Sequence, residues 1–261
     1  MTQTYPQLGS GALSQFPIRK TRRTRTVTNR AADGSSIRLA DPAGVITEWN
    51  LTYADLSDAE AGTLLAFFEA AEGSLNGFTF LDPAGNLLAW SDHLDNEVWQ
   101  KDPLLTLTGA AADPRGGTNA WKIVNGGGAG QSIAQTLAAP GACQYCLTAY
   151  LRADAATSVT AWAGTVSRAY SATPTWSRVV MASSPDPTAT SLRFAIEIAA
   201  AGAVQVYGIQ VEAQPGPSGY KATTRGGVYE GAHFRDDALG ITKTGVNRHS
   251  CTVNIIHANY L

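Results

Sequence analysis

Cysteine is nearly missing. Cys143, Cys146 and Cys251 are the three in 261 residues, too few to staple a chain of this length. Cys143 and Cys146 are three apart, a spacing that points two side chains to opposite faces of a strand, and no second Cys or His pair completes a zinc set. His249 and His257 read as surface residues, so no metal and no cofactor is expected. Charged residues make up only 15% of the chain. No apolar run approaches the ~18 residues of a membrane span. No basic segment followed by an apolar run opens the chain, so the reading is a protein without a secretory leader, made in a cytoplasm. Net charge is −2 with a pI near 6.1, which gives no bulk attraction to nucleic acid. Catalytic patterns are lacking too. Ser158, His93 and Asp92 supply triad residue types, but no Gly-x-Ser-x-Gly elbow accompanies them. The acidic residues of the middle region show no spacing that marks a glycosidase pair. The expectation is a non-enzyme with no catalytic residue.

What is present is glycine, alanine, threonine and short apolar runs, the texture of a mainly β protein. Residues 1–18, rich in Gly, Pro, Gln and Ser, read as an extended arm that orders against a partner. Residues 1–30 carry Arg19, Lys20, Arg22, Arg23, Arg25 and Arg30 and no acidic residue. Two readings stand for that segment: an edge strand protected by charge, or a contact with an acidic neighbour or with nucleic acid. Asp33-Gly34 marks a hairpin turn, and Asp41-Pro42-Ala43-Gly44 a second turn. Val45 to Tyr53 alternates, placing Val45, Thr47, Trp49, Leu51 and Tyr53 on one face.

One helix is nearly dictated. Ser57 with Glu60 makes a capping box, and Asp58 and Glu60 suit the positive end of the dipole. Ala61, Leu64, Leu65 and Phe68 share a face, with Phe67 beside them, and Gly73 ends the helix. Phe78 and Phe80 form a short strand before the Asp82-Pro83 break. Trp49, Leu64, Phe67, Phe68, Phe78 and Phe80 are the expected core of this region, with Trp49 and Tyr53 as the floor beneath Phe67 and Phe68.

From about Ser91 helical periodicity stops. Eight apolar runs recur between turns, beginning at Leu104 and ending at Val211, as in a β-sandwich, with a jelly roll the commonest eight-strand form. The last segment, Ser250 to Ile256, alternates with Cys251, Val253 and Ile255 on one face. It belongs to a hairpin too short to fold alone. The expected organisation is therefore a small antiparallel barrel or sheet with one helix, from residues 1–92 plus 225–261, interrupted by a jelly-roll-like sandwich at 93–224.

Three patterns carry a family resemblance. Leu64-Leu-Ala-Phe-Phe-Glu-Ala-Ala-Glu-Gly73 followed by Gly77-Phe-Thr-Phe-Leu-Asp-Pro83 resembles the core of tailed-phage distal tail proteins. Phe234-Arg-Asp-Asp-Ala-Leu-Gly-Ile-Thr followed by Gly245 to Ile256 resembles their closing hairpin. The middle, with Trp99-Gln-Lys-Asp, Asn119-Ala-Trp-Lys-Ile123 and Val206 to Ala213, is similar to carbohydrate-binding-like modules that decorate phage tails. The sandwich departs from the family pattern by preceding the closing hairpin. The resemblance implies a virion structural protein of the tail tip. It would form a ring, usually a hexamer, between tail tube and baseplate hub proteins, with an outward module for host-surface polysaccharide. Nucleic acid would be a partner only if the basic segment faced the tail lumen. Sugar rings stack on aromatic faces, and Trp162 and Tyr170, near strand ends, are the candidate glycan platform. Asp92, Asp95 and Asp102 could supply oxygens to a calcium ion. The rival readings are a stand-alone glycan-binding adhesin and a tail-associated cell-wall hydrolase.

Overall fold

The structure, a computed structural model, describes residues 3–258. The chain divides into two compact units. The first takes the chain up to Gly9, Ser14 to Phe80, and Tyr229 onward; the second takes Ser10–Leu13 and Leu81–Val228. The expected boundary at residue 92 therefore falls too late. Residues 81–92 bond to the sandwich: Leu87 N–H donates to the Val211 carbonyl at 2.8 Å, and the Asn86 amide bridges Ile209 and Val211 at 3.0 Å.

In the first unit β1 (Ile18–Arg30), β2 (Ser36–Leu56), β16 (Arg248–Ala258), β14 (Val228–Phe234) and β3 (Phe78–Leu81) form one sheet in that order, with β15 (Ile241–Gly245) also paired to β16. The sheet is open, so the barrel expectation gives way to its sheet alternative. The chain ends meet here: Cys251 sits opposite Tyr53 and Ile255 opposite Trp49. Asp41–Gly44 is no turn between strands. It is an irregularity inside β2, where the partner of Arg23 is Ile46 and that of Arg25 is Asp41. The Asp41 carboxylate accepts from Arg25 Nε at 2.6 Å and from the Ala43 amide at 3.1 Å, so the Asx chemistry is satisfied within a strand pair.

Helix α1 (Asp58–Ala70) starts at the capping box, Ser57 Oγ accepting from Glu60 N–H at 3.2 Å and Glu60 accepting from Ser57 N–H at 2.9 Å. Gly73, at φ +66°, returns its N–H to Phe68 at 3.1 Å. Trp49, Phe78, Phe80 and Leu64 are buried, whereas Phe67 and Phe68 are only half-buried and Leu65 is exposed. The floor under the helix also differs. Phe67 meets Phe78 at 5.1 Å and Tyr5 at 5.6 Å, and Phe68 meets Phe234 at 5.0 Å. Trp49 packs on Tyr229 and Phe80 instead, at 4.6 and 4.9 Å. The N-terminal segment is no free arm: Tyr5 is fully buried, its hydroxyl 2.9 Å from that of Tyr53 and its amide bonded to Thr79.

The second unit is a sandwich of two five-stranded antiparallel sheets. One runs β10 (Val166–Ala172), β9 (Thr157–Ala163), β12 (Leu192–Ile198), β7 (Gln131–Leu137), β4 (Gln100–Lys101). The other runs β11 (Ser177–Ser183), β8 (Tyr145–Arg152), β13 (Ala203–Glu212), β6 (Ala120–Asn125), β5 (Leu105–Ala111). Alternate residues Tyr145, Leu147, Ala149 and Leu151 of β8 are buried inward, and Tyr145 crosses to Phe194 of the other sheet at 5.4 Å.

Candidate functional site

Alternation that buries one face of β8 turns Thr148, Tyr150 and Arg152 outward. Register then aligns two rows across the β8 sheet. Arg178 pairs with Tyr150 and Tyr150 with Tyr207; beside them Arg152 pairs with Gln205 and Gln205 with Lys122. Gly208, at φ +65°, marks the register shift after Tyr207. A Cβ there would stand 3.1 Å from the Tyr220 ring, so only glycine lets that ring lie on the backbone.

The outer face of this sheet has a closed half and an open half. On the closed half the segment after β13 folds back. Ser218 N–H donates to Glu212 at 2.9 Å, Lys221 N–H to Gln210 at 2.8 Å, and Gln210 and Glu212 are buried beneath. Tyr220 is buried at the divide, bonded to Ser91 at 2.8 Å and to the Asp92 carboxylate. Burial first, and then that carboxylate, hold its phenol well above the usual range.

On the open half the rings chain together. Tyr220 meets Tyr207 at 5.2 Å, Tyr207 meets Tyr150 at 5.8 Å, and Trp176 packs against the same cluster. Tyr150 and Trp176 are half-exposed and Tyr207 is buried as floor. Two guanidiniums stand over these rings, Arg178 at 5.5 Å from Tyr150 and Arg115 at 5.5 Å from Tyr220. The Arg178 terminal nitrogen donates to Thr148 Oγ1 at 3.0 Å. Yet Arg178 Nε, Arg152 Nε and Gln205 Oε1 are all buried without a hydrogen-bond partner among the described residues. Buried polar atoms are nearly always paired, so three orphans on one face beside accessible rings form a distinctive arrangement. Aromatic surface plus fixed donors and an amide acceptor can hold a ring that is apolar on its face and hydroxylated at its edge.

Trp162 and Tyr170 do not form one platform. Trp162 pairs with Ser167 and Ala195 on the outer face of its sheet, while Tyr170 pairs with inward-facing Val159. The Tyr170 hydroxyl donates to the Val180 carbonyl at 2.6 Å, tying the two sheets at their margin. Trp162 is half-buried with Nε1 unpartnered. Strand-end position drew attention to this pair, but face parity separates them. The better clue was that Tyr150 and Tyr207 alternate against fully apolar neighbours. Asp92, Asp95 and Asp102 do not converge as cation ligands. Asp92 holds Tyr220 and Asp102 holds Ser132 at 2.7 and 2.9 Å, and no group of three metal-ligating residues occurs among the described residues. Cys143 and Cys146 are buried thiols, both pushed up to about 11 by burial.

No protein-family model and no curated protein matches the chain. Several solved structures are similar to it. The CBM22-1 xylan-binding domain of Xyn10C from Paenibacillus barcinonensis is 14% identical, with a TM-score of 0.40 over 52% of this chain and 98% of that one. The C-terminal family 22 carbohydrate-binding module of Xyn10B from Clostridium thermocellum is 11% identical, with a TM-score of 0.41 over 53% of this chain and 98% of that one. The enzymatically active domain of tailspike protein 4 of bacteriophage CBA120 is 13% identical, with a TM-score of 0.39 over 51% of this chain and 22% of that one.

Proposed function

We propose that the protein binds glycan on the open half of the β8 sheet, through Tyr150 and Trp176 as stacking surfaces and Arg152, Arg178 and Gln205 as hydroxyl partners. The observation that carries this reading is a pair of half-exposed rings, Tyr150 and Trp176, with the partly exposed side chains of Arg152, Arg178 and Gln205 in register beside them on one face. The reading is of binding without turnover. A glycan array followed by calorimetry on the best ligand tests it. Tyr150→Ala and Trp176→Ala are each expected to weaken binding about tenfold or more with the melting temperature little changed. Undiminished binding by both variants, or release of cleaved sugar, would sink the reading.

A second reading is a virion structural protein: a tail-tip ring subunit, probed by its tail tube and hub partners, that carries the sandwich outward toward the host surface. The observation favouring it is the far part of the β1–β2 ribbon, where nearly every residue from Arg22 to Ala40 is exposed on both faces. A two-stranded ribbon is marginal alone, and neighbouring subunits in a ring would cover it. Electron microscopy of the pure protein at high concentration should show closed rings; a strict monomer that ignores tail proteins would remove this reading.

A further inference from the structure

The polar face of the first unit's sheet carries a cleft apart from the β8 sheet of the second unit. Register puts Arg19 of β1 opposite Asn50 of β2, and Asn50 opposite Asn254 of β16. The Asn50 amide donates to Asn254 at 2.7 Å. One step along, Glu48 accepts from Arg23 at 2.9 Å with one oxygen and from Arg235 with the other. Arg235 is set in place by its own N–H bonding to the Asn254 carbonyl at 2.9 Å. These residues line a cleft of about 270 Å³. Three guanidiniums face one carboxylate in this lining. Asp236, 3.8 Å from Arg235, accepts from the Asn254 side-chain amide at 3.2 Å but does not itself line the cleft. Glu48 consumes one edge of two arginines, and no carboxylate pairs with Arg19 among the described residues.

We propose that this cleft binds the phosphate or sulfate group of a small soluble molecule. Guanidinium forks match such oxyanions through paired, charge-assisted bonds. Glu48 presets two of the forks, and the second N–H of each asparagine amide, the first being taken by Asn254 and Asp236, is left for whatever the anion is attached to.

Calorimetry on the full chain at low salt, with inorganic phosphate, inorganic sulfate and glycerol 3-phosphate as probes, tests this. Saturable binding of at least one probe is expected, weakened about tenfold in Arg19→Gln and in Arg235→Gln. Both side chains are exposed or half-exposed, so folding is unaffected and a melting curve checks it. Arg22→Gln is the control. It removes the same charge from the same strand, but on the opposite face, since Arg22 sits opposite Thr47; its binding should match that of the parent. Phosphate outcompeting sulfate, or the reverse, tells which group the cleft takes. The proposal is overturned if no probe saturates, or if Arg22→Gln loses as much as Arg19→Gln. It is equally overturned if a DNA oligomer binds far more tightly with a steep salt slope that all three variants share.

Discussion

At the residue scale, the thiols show how burial replaces motif chemistry. The Cys-x-x-Cys spacing in this chain places Cys143 before β8 and Cys146 within it, on the face sealed by the fold-back segment, where its register partner is Glu212. Burial raises both thiols to about 11, and Glu212 adds to the rise at Cys146. The sign follows directly: a thiol raised above its usual value stays protonated, and protonated thiol is a poor nucleophile. Iodoacetamide at pH 8 should therefore leave Cys143 and Cys146 unlabelled in the native protein and label both after denaturation, as read by mass spectrometry. Rapid native labelling of Cys146 would mean that the segment over Gln210 and Glu212 is not closed. Residue-scale burial in the first unit was partly legible. Trp49, Phe78 and Phe80 follow from alternation, but the partners of Phe67 do not. Its floor includes Tyr5 and Phe234, one from a Gly- and Pro-rich stretch and one from the far end of the chain, and neither periodicity nor composition links such distant positions.

At the scale of elements, local chemistry foretold the helix better than the strands. The capping box, the first-turn acids and Gly73 act within a few residues of one another, so Ser57 to Gly73 could be read directly. The edge strand β10 could not: Val-Ser-Arg-Ala-Tyr-Ser-Ala buries few residues, and only its pairing with β9 defines it. Asp41-Pro-Ala-Gly44 misled for the opposite reason, since turn residues also build an irregularity where a neighbouring strand supplies Arg25. That irregularity divides β2 into a near part buried on one face and an exposed far part, with β1 mostly exposed along its length. Replacing residues 24–45 with a tight two-residue turn, joining Arg23 to its partner Ile46, should therefore leave the fold of the first unit in place. Thermal melting followed by circular dichroism is expected to shift by only a few degrees. A collapse of the melt would show that the ribbon supports the sheet, and loss of rings without loss of stability would tie the ribbon to assembly.

At the scale of the whole molecule, the chain closes its first unit with its last strand, and this pairing makes a prediction about truncation. β16 covers β2 through nine paired positions between Leu56 and Ile46, and it brings Val253 and Ile255, both buried, against the Trp49 side of the sheet. A chain ending at Val228 keeps all of the second unit, Ser10–Leu13 and Leu81–Val228, and loses β14, β15 and β16 from the first. The edge of β2 would then be bare over an apolar face, a template for aggregation. The sandwich, at roughly 150 residues, has the size of an independent domain. Limited proteolysis of the truncated chain should degrade residues before about 80 quickly while a fragment near 81–228 survives; the full chain should resist over both regions. The surviving fragment should retain any glycan binding of the parent, because Tyr150, Trp176, Arg152, Arg178 and Gln205 all lie within it. Phosphate or sulfate binding should disappear with the first unit, because Asn254 and Arg235 are gone and Glu48 has lost the strand beside it. Parallel loss of both activities would show that the two sites are not separable along this division of the chain.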